Sequence, residues 1–176
     1  SGCAAPARPP TRTDAMRAQV DPYVAAGDFM AVVGIGVNDD PPLLLTFGQA
    51  SVELGTPHLA NGAFMIGSIS KQFTAAALLT LAEDGRLQLD DPLSTHLSEF
   101  RDAPAAGATA APTIHQLLNH TAGIADTYGL PLFGASQGLF GDFDEVVAAL
   151  AAADRTHAPG AAYAYSNGGY LLAAAV

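Results

Sequence analysis

Ser68 and Lys71 stand three residues apart in "GSISKQF", residues 67–73. On a helix that spacing puts both side chains on one face, so that hydroxyl and amine can meet. A serine hydroxyl is a poor nucleophile until a base takes its proton. An amine is such a base only when neutral, a state that burial and neighbouring positive charge favour. Arginine cannot take this role, because its guanidinium keeps its proton in proteins. The chain has seven cationic side chains, six of them arginine, and Lys71 is its only lysine. Lysine therefore stands where proton loss would be useful. A helix that starts at Ser68 also offers the serine's own N–H to a developing oxyanion. S-x-x-K alone is a common tetrapeptide, more often a solvated helix start than a catalytic pair, so its surroundings decide.

Those surroundings must position the pair. Residues 12–27, "RTDAMRAQVDPYVAAG", read as a short helix stopped by glycine and bent or interrupted at Pro22. "FMAVVGIGV" (29–37) and "LLLTFGQASV" (43–52) read as two strands separated by the turn-forming "NDDPP", hence a hairpin. "ELGTPHLANGA" reads as loop. Residues 68–84 read as a helix with Phe73, Ala76, Ala77, Leu78 and Leu81 among its apolar residues and Gly85 as its stop. Beyond "RLQLDDPL", an extended entry, come short helices at 113–121 and 142–154, the second capped by Asp142. Residues 101–112, "RDAPAAGATAAP", read as a surface excursion, and "NGGYLLAAAV" starts an apolar helix at about Tyr170. Helix, hairpin, long helix and helical region in that order give an α+β class: an antiparallel sheet packed with helices, plus a helical subdomain.

Three stretches then carry a resemblance. "FMIGSISKQFTAAALLTLAEDGRLQLDDPL" (64–93) resembles the nucleophile segment of the serine β-lactamase and penicillin-binding-protein superfamily. "TIHQLLNHTAGI" (113–124) resembles its His-Thr-Ser/Ala-Gly signature, and "PGAAYAYSNGGYLL" (159–172) its Tyr-x-Asn segment. They occur in the family's order, and the nearest branch is similar to class C β-lactamases with their esterase and D-aminopeptidase relatives. The resemblance implies a β-lactamase/transpeptidase-like fold and a serine hydrolase that works through an acyl-serine on amide or ester bonds. β-Lactams, D-amino-acid peptides and small esters all suit such machinery. It implies Ser68 as nucleophile, Lys71 as its proton partner, Tyr165 as general acid/base and Asn167 as the group that hydrogen-bonds a substrate amide. In an extended segment Tyr165 and Asn167, at i and i+2, point to one side and Ser166 to the other. A tyrosine beside a lysine cation can have its pKa lowered enough to exchange protons with serine. The family's Lys-Thr-Gly or His-x-Gly strand has no counterpart here, so the expectation is the N-terminal part of a longer protein, with later strands missing and little activity of its own. A non-turnover penicillin-binding or sensory module of the same fold is the alternative, which a burst of acylation without turnover would mark.

The remaining features bound partners and place. With 17 acidic and 7 basic residues the formal charge is −10, which repels phosphate backbones and argues for a small-molecule or peptide substrate and no nucleic acid. The longest apolar run inside the chain, "AAALLTLA" (75–82), is too short to cross a bilayer. "SGC" ahead of the Pro-rich "AAPARPPTRT" resembles a bacterial lipoprotein cleavage site. It implies a lipid-bearing Cys3, a tether over residues 1–11, and an extracytoplasmic place in the periplasm or cell envelope. The expected hydrolase domain is then 12–176, with its sheet part at 12–90 and its helical subdomain at 91–176. No cofactor is expected. Of the five histidines none forms H-E-x-x-H, and His115 and His120 at i, i+5 are off-face, so no metal site is expected either. His120 is read as a loop residue that hydrogen-bonds backbone.

Overall fold

A computed structural model describes residues 9–101, 111–130 and 142–176. Cys3 and most of the 101–112 excursion lie outside the described residues. The chain divides into two compact units between Met65 and Ile66.

The first unit opens with α1 (Arg12–Ala25). Thr11 and Asp14 form a capping box: the Asp14 N–H donates to Thr11 Oγ1 at 3.1 Å and the Thr11 N–H to Asp14 Oδ2 at 2.8 Å. The helix is continuous through Pro22, so of the expected bend or interruption the interruption does not occur. The only intrahelical bond that Pro22 cannot make would go to the carbonyl of Ala18, an exposed residue whose oxygen water can serve. Gly27, at φ +79°, ends it in a Schellman motif, with Asp28 N–H on Tyr23 O and Gly27 N–H on Val24 O. Strands β1 (Ala31–Ile35) and β2 (Leu43–Phe47) then form the expected antiparallel hairpin, Ala31 opposite Phe47 and Ile35 opposite Leu43. Period-two alternation buries Leu45 and Phe47 on one face of β2. The second strand stops earlier than its sequence suggests. Gly48 takes φ +65°, and any β-carbon there would run into Met30. The chain turns into β3 (Gln49–Ser51), which pairs with β4 (Thr56–Pro57) inside a stretch read as loop.

The second unit holds the larger core. A 3₁₀ turn at Gly67–Ile69 runs into α2 (Ser70–Glu83), closed by a second Schellman motif at Gly85: Arg86 N–H donates to Leu81 O and Gly85 N–H to Ala82 O. The chain then returns through Leu87 and Leu93 to α3 (Ile114–Leu118), whose Thr113 and Gln116 form another capping box. The Leu93 N–H donates to Pro112 O at 2.8 Å and the His115 N–H to Leu89 O at 2.8 Å, which ties α3 to that return. α4 (Phe143–Ala152) starts at the expected Asp142 cap, and α5 (Asn167–Ala175) ends the chain. Leu93, Ile114, Leu117, Val146, Leu150 and Leu172 are all at most 1% exposed, each contributing about 1.5–3 kcal/mol of apolar burial. α2 presents Leu78 to this core, with Leu81 and Ala82 packed at its margin. Phe73 is 63% exposed, and Ala76 and Ala77 are exposed as well, so the apolar face expected of this helix is only partly used within the unit.

α5 begins three residues before the expected Tyr170. Ser166 is its N-cap, donating to Ala125 O at 3.1 Å while its oxygen accepts from the Gly169 N–H at 2.9 Å. Gly168 is a packing residue here: a β-carbon would strike Ala125 O and Leu150 Cδ2. Gly168 thus lets a helix start against a neighbouring chain segment.

Candidate active site

Four elements of the second unit converge on Lys71. The 3₁₀ turn presents Ser68, and the first turn of α2 presents Lys71 one helical step later. The Lys71 Nζ donates to Ser68 Oγ at 3.2 Å, the contact that i, i+3 spacing allows. The segment before α5 brings Tyr165, whose Oη lies 2.7 Å from Ser68 Oγ. Asn167, the first residue of α5, accepts from Lys71 Nζ through its Oδ1 at 2.7 Å. The structure therefore brings Ser68, Lys71, Tyr165 and Asn167 into one hydrogen-bonded group across 99 positions of sequence, from Ser68 to Asn167. Tyr165 and Asn167 share a side because Ser166 is extended (φ −141°, ψ 123°) and turns its own side chain inward.

His120 fixes the height of that segment. It closes α3 in the left-handed region at φ +60°, and two of its acceptors meet the segment at residues 164–166. Its carbonyl accepts from the Ala164 N–H at 2.9 Å, and its Nδ1 accepts from the Ser166 N–H at 3.2 Å. Burial, helped by the charge of Lys71, pushes the His120 pKa down, which favours the neutral ring whose Nδ1 can accept. The ring also packs 4.5 Å from that of Tyr165 and 5.2 Å from that of Tyr170. Tyr170 in turn is anchored by its hydroxyl to Leu118 O at 2.9 Å. Lys71 Nζ lies 5.0 Å from the Tyr165 ring centre and 5.7 Å from that of Tyr170, within cation–π range of both.

The electrostatics favour proton exchange at Tyr165. The Lys71 ammonium first, and the Ser68 hydroxyl second, hold the phenol below its ordinary value of 10.0; burial and the charge of Asp126 push weakly the other way. Ser68 is exposed and Tyr165 is 45% exposed, so an incoming carbonyl can reach the pair from solvent. The Ser68 N–H belongs to a first helical turn, where N–H groups lack intrahelical acceptors. A hollow of about 320 Å³ opens beside the group, lined by Lys71, Thr74, Thr127, Asn167, Tyr170 and Leu171. Another, of about 230 Å³, lies in the first unit against Met16, Ile35 and Leu43, with Arg12 and Asp40 as its charged lining residues.

Asp126 is the site residue that sequence reasoning missed. Its carboxylate accepts from the Asn167 N–H at 3.2 Å and from Asn167 Nδ2 at 3.3 and 3.4 Å. It also accepts the Tyr128 N–H at 3.1 Å, capping the 3₁₀ turn at Thr127–Gly129. Burial raises its pKa, but the N–H groups of Tyr128 and Asn167 outweigh this and hold the carboxyl below 3.8. An acidic residue between an apolar stretch and a loop is usually solvated, and no spacing rule links it to a residue 41 positions away. Among the described residues no three His, Cys, Asp or Glu side chains stand together as a metal site would require, and no helix is long and apolar enough to cross a membrane.

The sequence and the fold are similar to those of known proteins. Esterase EstB of Burkholderia gladioli is 36% identical over 141 residues, which cover 73% of this chain and 35% of that protein. The D-aminopeptidase of Brucella anthropi is 32% identical over 155 residues, 86% of this chain and 28% of that one. Among solved structures, the penicillin binding protein from Bacillus halodurans superposes with a TM-score of 0.71 at 26% identity, covering 89% of this chain and 46% of that chain. The chain thus spans about a third of the length of these curated relatives. The fold is α+β and of the β-lactamase/transpeptidase-like kind, as the three signatures implied. The Beta-lactamase family matches residues 16–176, nearly the whole sequence, and the chain belongs to that family.

Proposed function

We propose that the protein is a serine hydrolase that cleaves amide or ester bonds through an acyl-enzyme on Ser68. One observation carries this reading: a single solvent-facing hydroxyl, Ser68 Oγ, lies 2.7 Å from the Tyr165 phenol and 3.2 Å from the Lys71 amine. The Ser68 proton passes to Tyr165, whose phenolate is favoured by Lys71, and Oγ attacks the substrate carbonyl carbon. The Ser68 N–H donates to the resulting oxyanion. As the tetrahedral carbon collapses, its bond to the leaving nitrogen or oxygen breaks, and Tyr165 returns the proton to that atom. Water then adds to the acyl carbon, giving up a proton to the same tyrosine–lysine pair. The Oγ–acyl bond breaks, Ser68 regains its proton, and a carboxylic acid departs. Asn167 accepts a hydrogen bond from Lys71 throughout, which keeps the amine under the serine oxygen.

The names of the relatives, an esterase and a D-aminopeptidase, point to small esters and D-amino-acid amides as the substrates to try first. The test uses the full-length protein, an activated acyl ester and a fluorophosphonate. Both are expected to add one acyl or phosphonyl mass to the wild type and none to Ser68→Ala. Labelling that persists in Ser68→Ala overturns the proposal.

A further inference from the structure

We infer that Asp126 is a positioning residue for Lys71, acting through the orientation of the Asn167 amide. The inference rests on the serine-hydrolase reading of the site and adds a residue to it.

An asparagine side chain can sit either way round in a pocket of fixed shape, because its oxygen and nitrogen ends are nearly isosteric. What selects one orientation is the charge at each end. Asn167 lies between an ammonium and a carboxylate, with Lys71 Nζ 2.7 Å from Oδ1 and both Asp126 oxygens 3.3–3.4 Å from Nδ2. In this orientation each end meets a complementary partner. Rotated by a half-turn, the amide would aim N–H groups at an ammonium and a carbonyl oxygen at a carboxylate, two repulsive contacts in place of two favourable ones. Asp126 thereby compels Asn167 to offer its oxygen to Lys71. The same carboxylate accepts the Asn167 backbone N–H at 3.2 Å, which fixes the start of α5 as well as the side chain it carries. Asp126 itself is held by the Tyr128 N–H at 3.1 Å, so the relay has a rigid end.

Replacing Asp126 by asparagine tests this with little change of shape. Asparagine is an equally good cap, so its oxygen keeps the Tyr128 N–H. With Oδ1 kept as the oxygen, the amide nitrogen takes the place of Oδ2 and faces both the backbone N–H and Nδ2 of Asn167, donor against donor, and only the 3.4 Å contact from Nδ2 to Oδ1 keeps an acceptor. The Asn167 amide then loses the carboxylate that held it one way round and can turn over, which leaves Lys71 facing N–H groups. Acylation of Ser68 by an activated ester is measured by intact-protein mass in four full-length proteins: wild type, D126N, N167A and D126N/N167A. D126N is expected to slow acylation about tenfold in the wild type, the scale of one charge-assisted hydrogen bond, and only about two- to threefold in the N167A background, where no amide remains to be turned and only the backbone N–H at position 167 loses its acceptor. Equal losses in both backgrounds, as general damage to the fold would give, overturn the positioning role, and so does a wild-type rate in D126N. Peptide mapping of the adduct keeps the two questions apart. An adduct on a residue other than Ser68 sinks the proposed function and the positioning role with it. An adduct on Ser68 with additive losses sinks the positioning role alone.

Discussion

Tyr165→Phe removes one oxygen and leaves almost everything else in place. The lost group is the hydroxyl 2.7 Å from Ser68 Oγ. The ring contacts with His120, at 4.5 Å, and with the Lys71 ammonium, at 5.0 Å, do not need it. Tyr165 is 45% exposed, so its hydroxyl is not a buried polar group whose loss would unsettle the core, and stability should change by less than about 1 kcal/mol. Catalysis should change far more. Loss of a general acid/base costs about 10²–10⁴-fold, or roughly 3–5 kcal/mol of transition-state stabilisation. Lys71 remains 3.2 Å from Ser68 and can take over part of the proton transfer, which places the expected loss at the lower end, about 10²-fold. The pH profile separates this from a steric effect. Because Lys71 and Ser68 lower the phenol's pKa, its basic form is reached at lower pH than for an ordinary tyrosine, and acylation should rise with pH through a limb below 10.0. That limb should vanish in the phenylalanine variant. Single-turnover acylation across pH, followed by intact mass, measures both quantities. A variant that acylates within about threefold of wild type with the limb intact would refute the proton-transfer role argued for Tyr165.

Lys71→Arg keeps a positive charge but substitutes a group that cannot become a base, and acylation should fall about 10²-fold or more with Ser68 still present. Asp126 predicts an acid-side loss of stability. Its folded pKa lies below 3.8, so the carboxylate contributes stability above that value and loses it as pH falls through the folded value. Melting temperature measured between about pH 5 and pH 2 should fall less steeply in Asp126→Asn. The same substitution removes a charge that raises the Tyr165 pKa, so the rising limb of acylation should move to lower pH. Gly168→Ala should lower stability by about 1–3 kcal/mol on thermal melting, because the added carbon meets Ala125 O and Leu150 Cδ2 at the start of α5.

Much of this site was legible because its chemistry is local at each end. Ser68 and Lys71 share a helical turn, and Tyr165 and Asn167 share an extended step, so spacing alone constrains each pair. The pairing of the two pairs is tertiary, and only the resemblance of three ordered segments anticipated it. Capping residues were similarly readable: Asp142 and Gly85 stand where their side chain and φ +70° backbone respectively require them. Two other readings failed for reasons that a one-dimensional pattern does not contain. Pro22 was read as bending or interrupting its helix, but α1 is not interrupted there, and Ala18, whose carbonyl loses its intrahelical partner, is an exposed residue. Gly168 and Gly169 were read ahead of a helix, yet they lie inside it, because close approach of Ala125 and Leu150 leaves room for nothing larger at Gly168. Asp126 is a local cap for the turn that follows it, but its link to Asn167 left no local trace, since that partner is brought to it by the packing of α5 against the segment after α3.

The central claim is that Ser68 is acylated. Full-length protein treated with a fluorophosphonate or an activated acyl ester, digested and mapped by mass spectrometry, tests it most directly. The expected result is one adduct per chain, carried by the peptide that contains Ser68 and absent from Ser68→Ala. An adduct on any other residue, or an unchanged adduct in Ser68→Ala, would contradict the account.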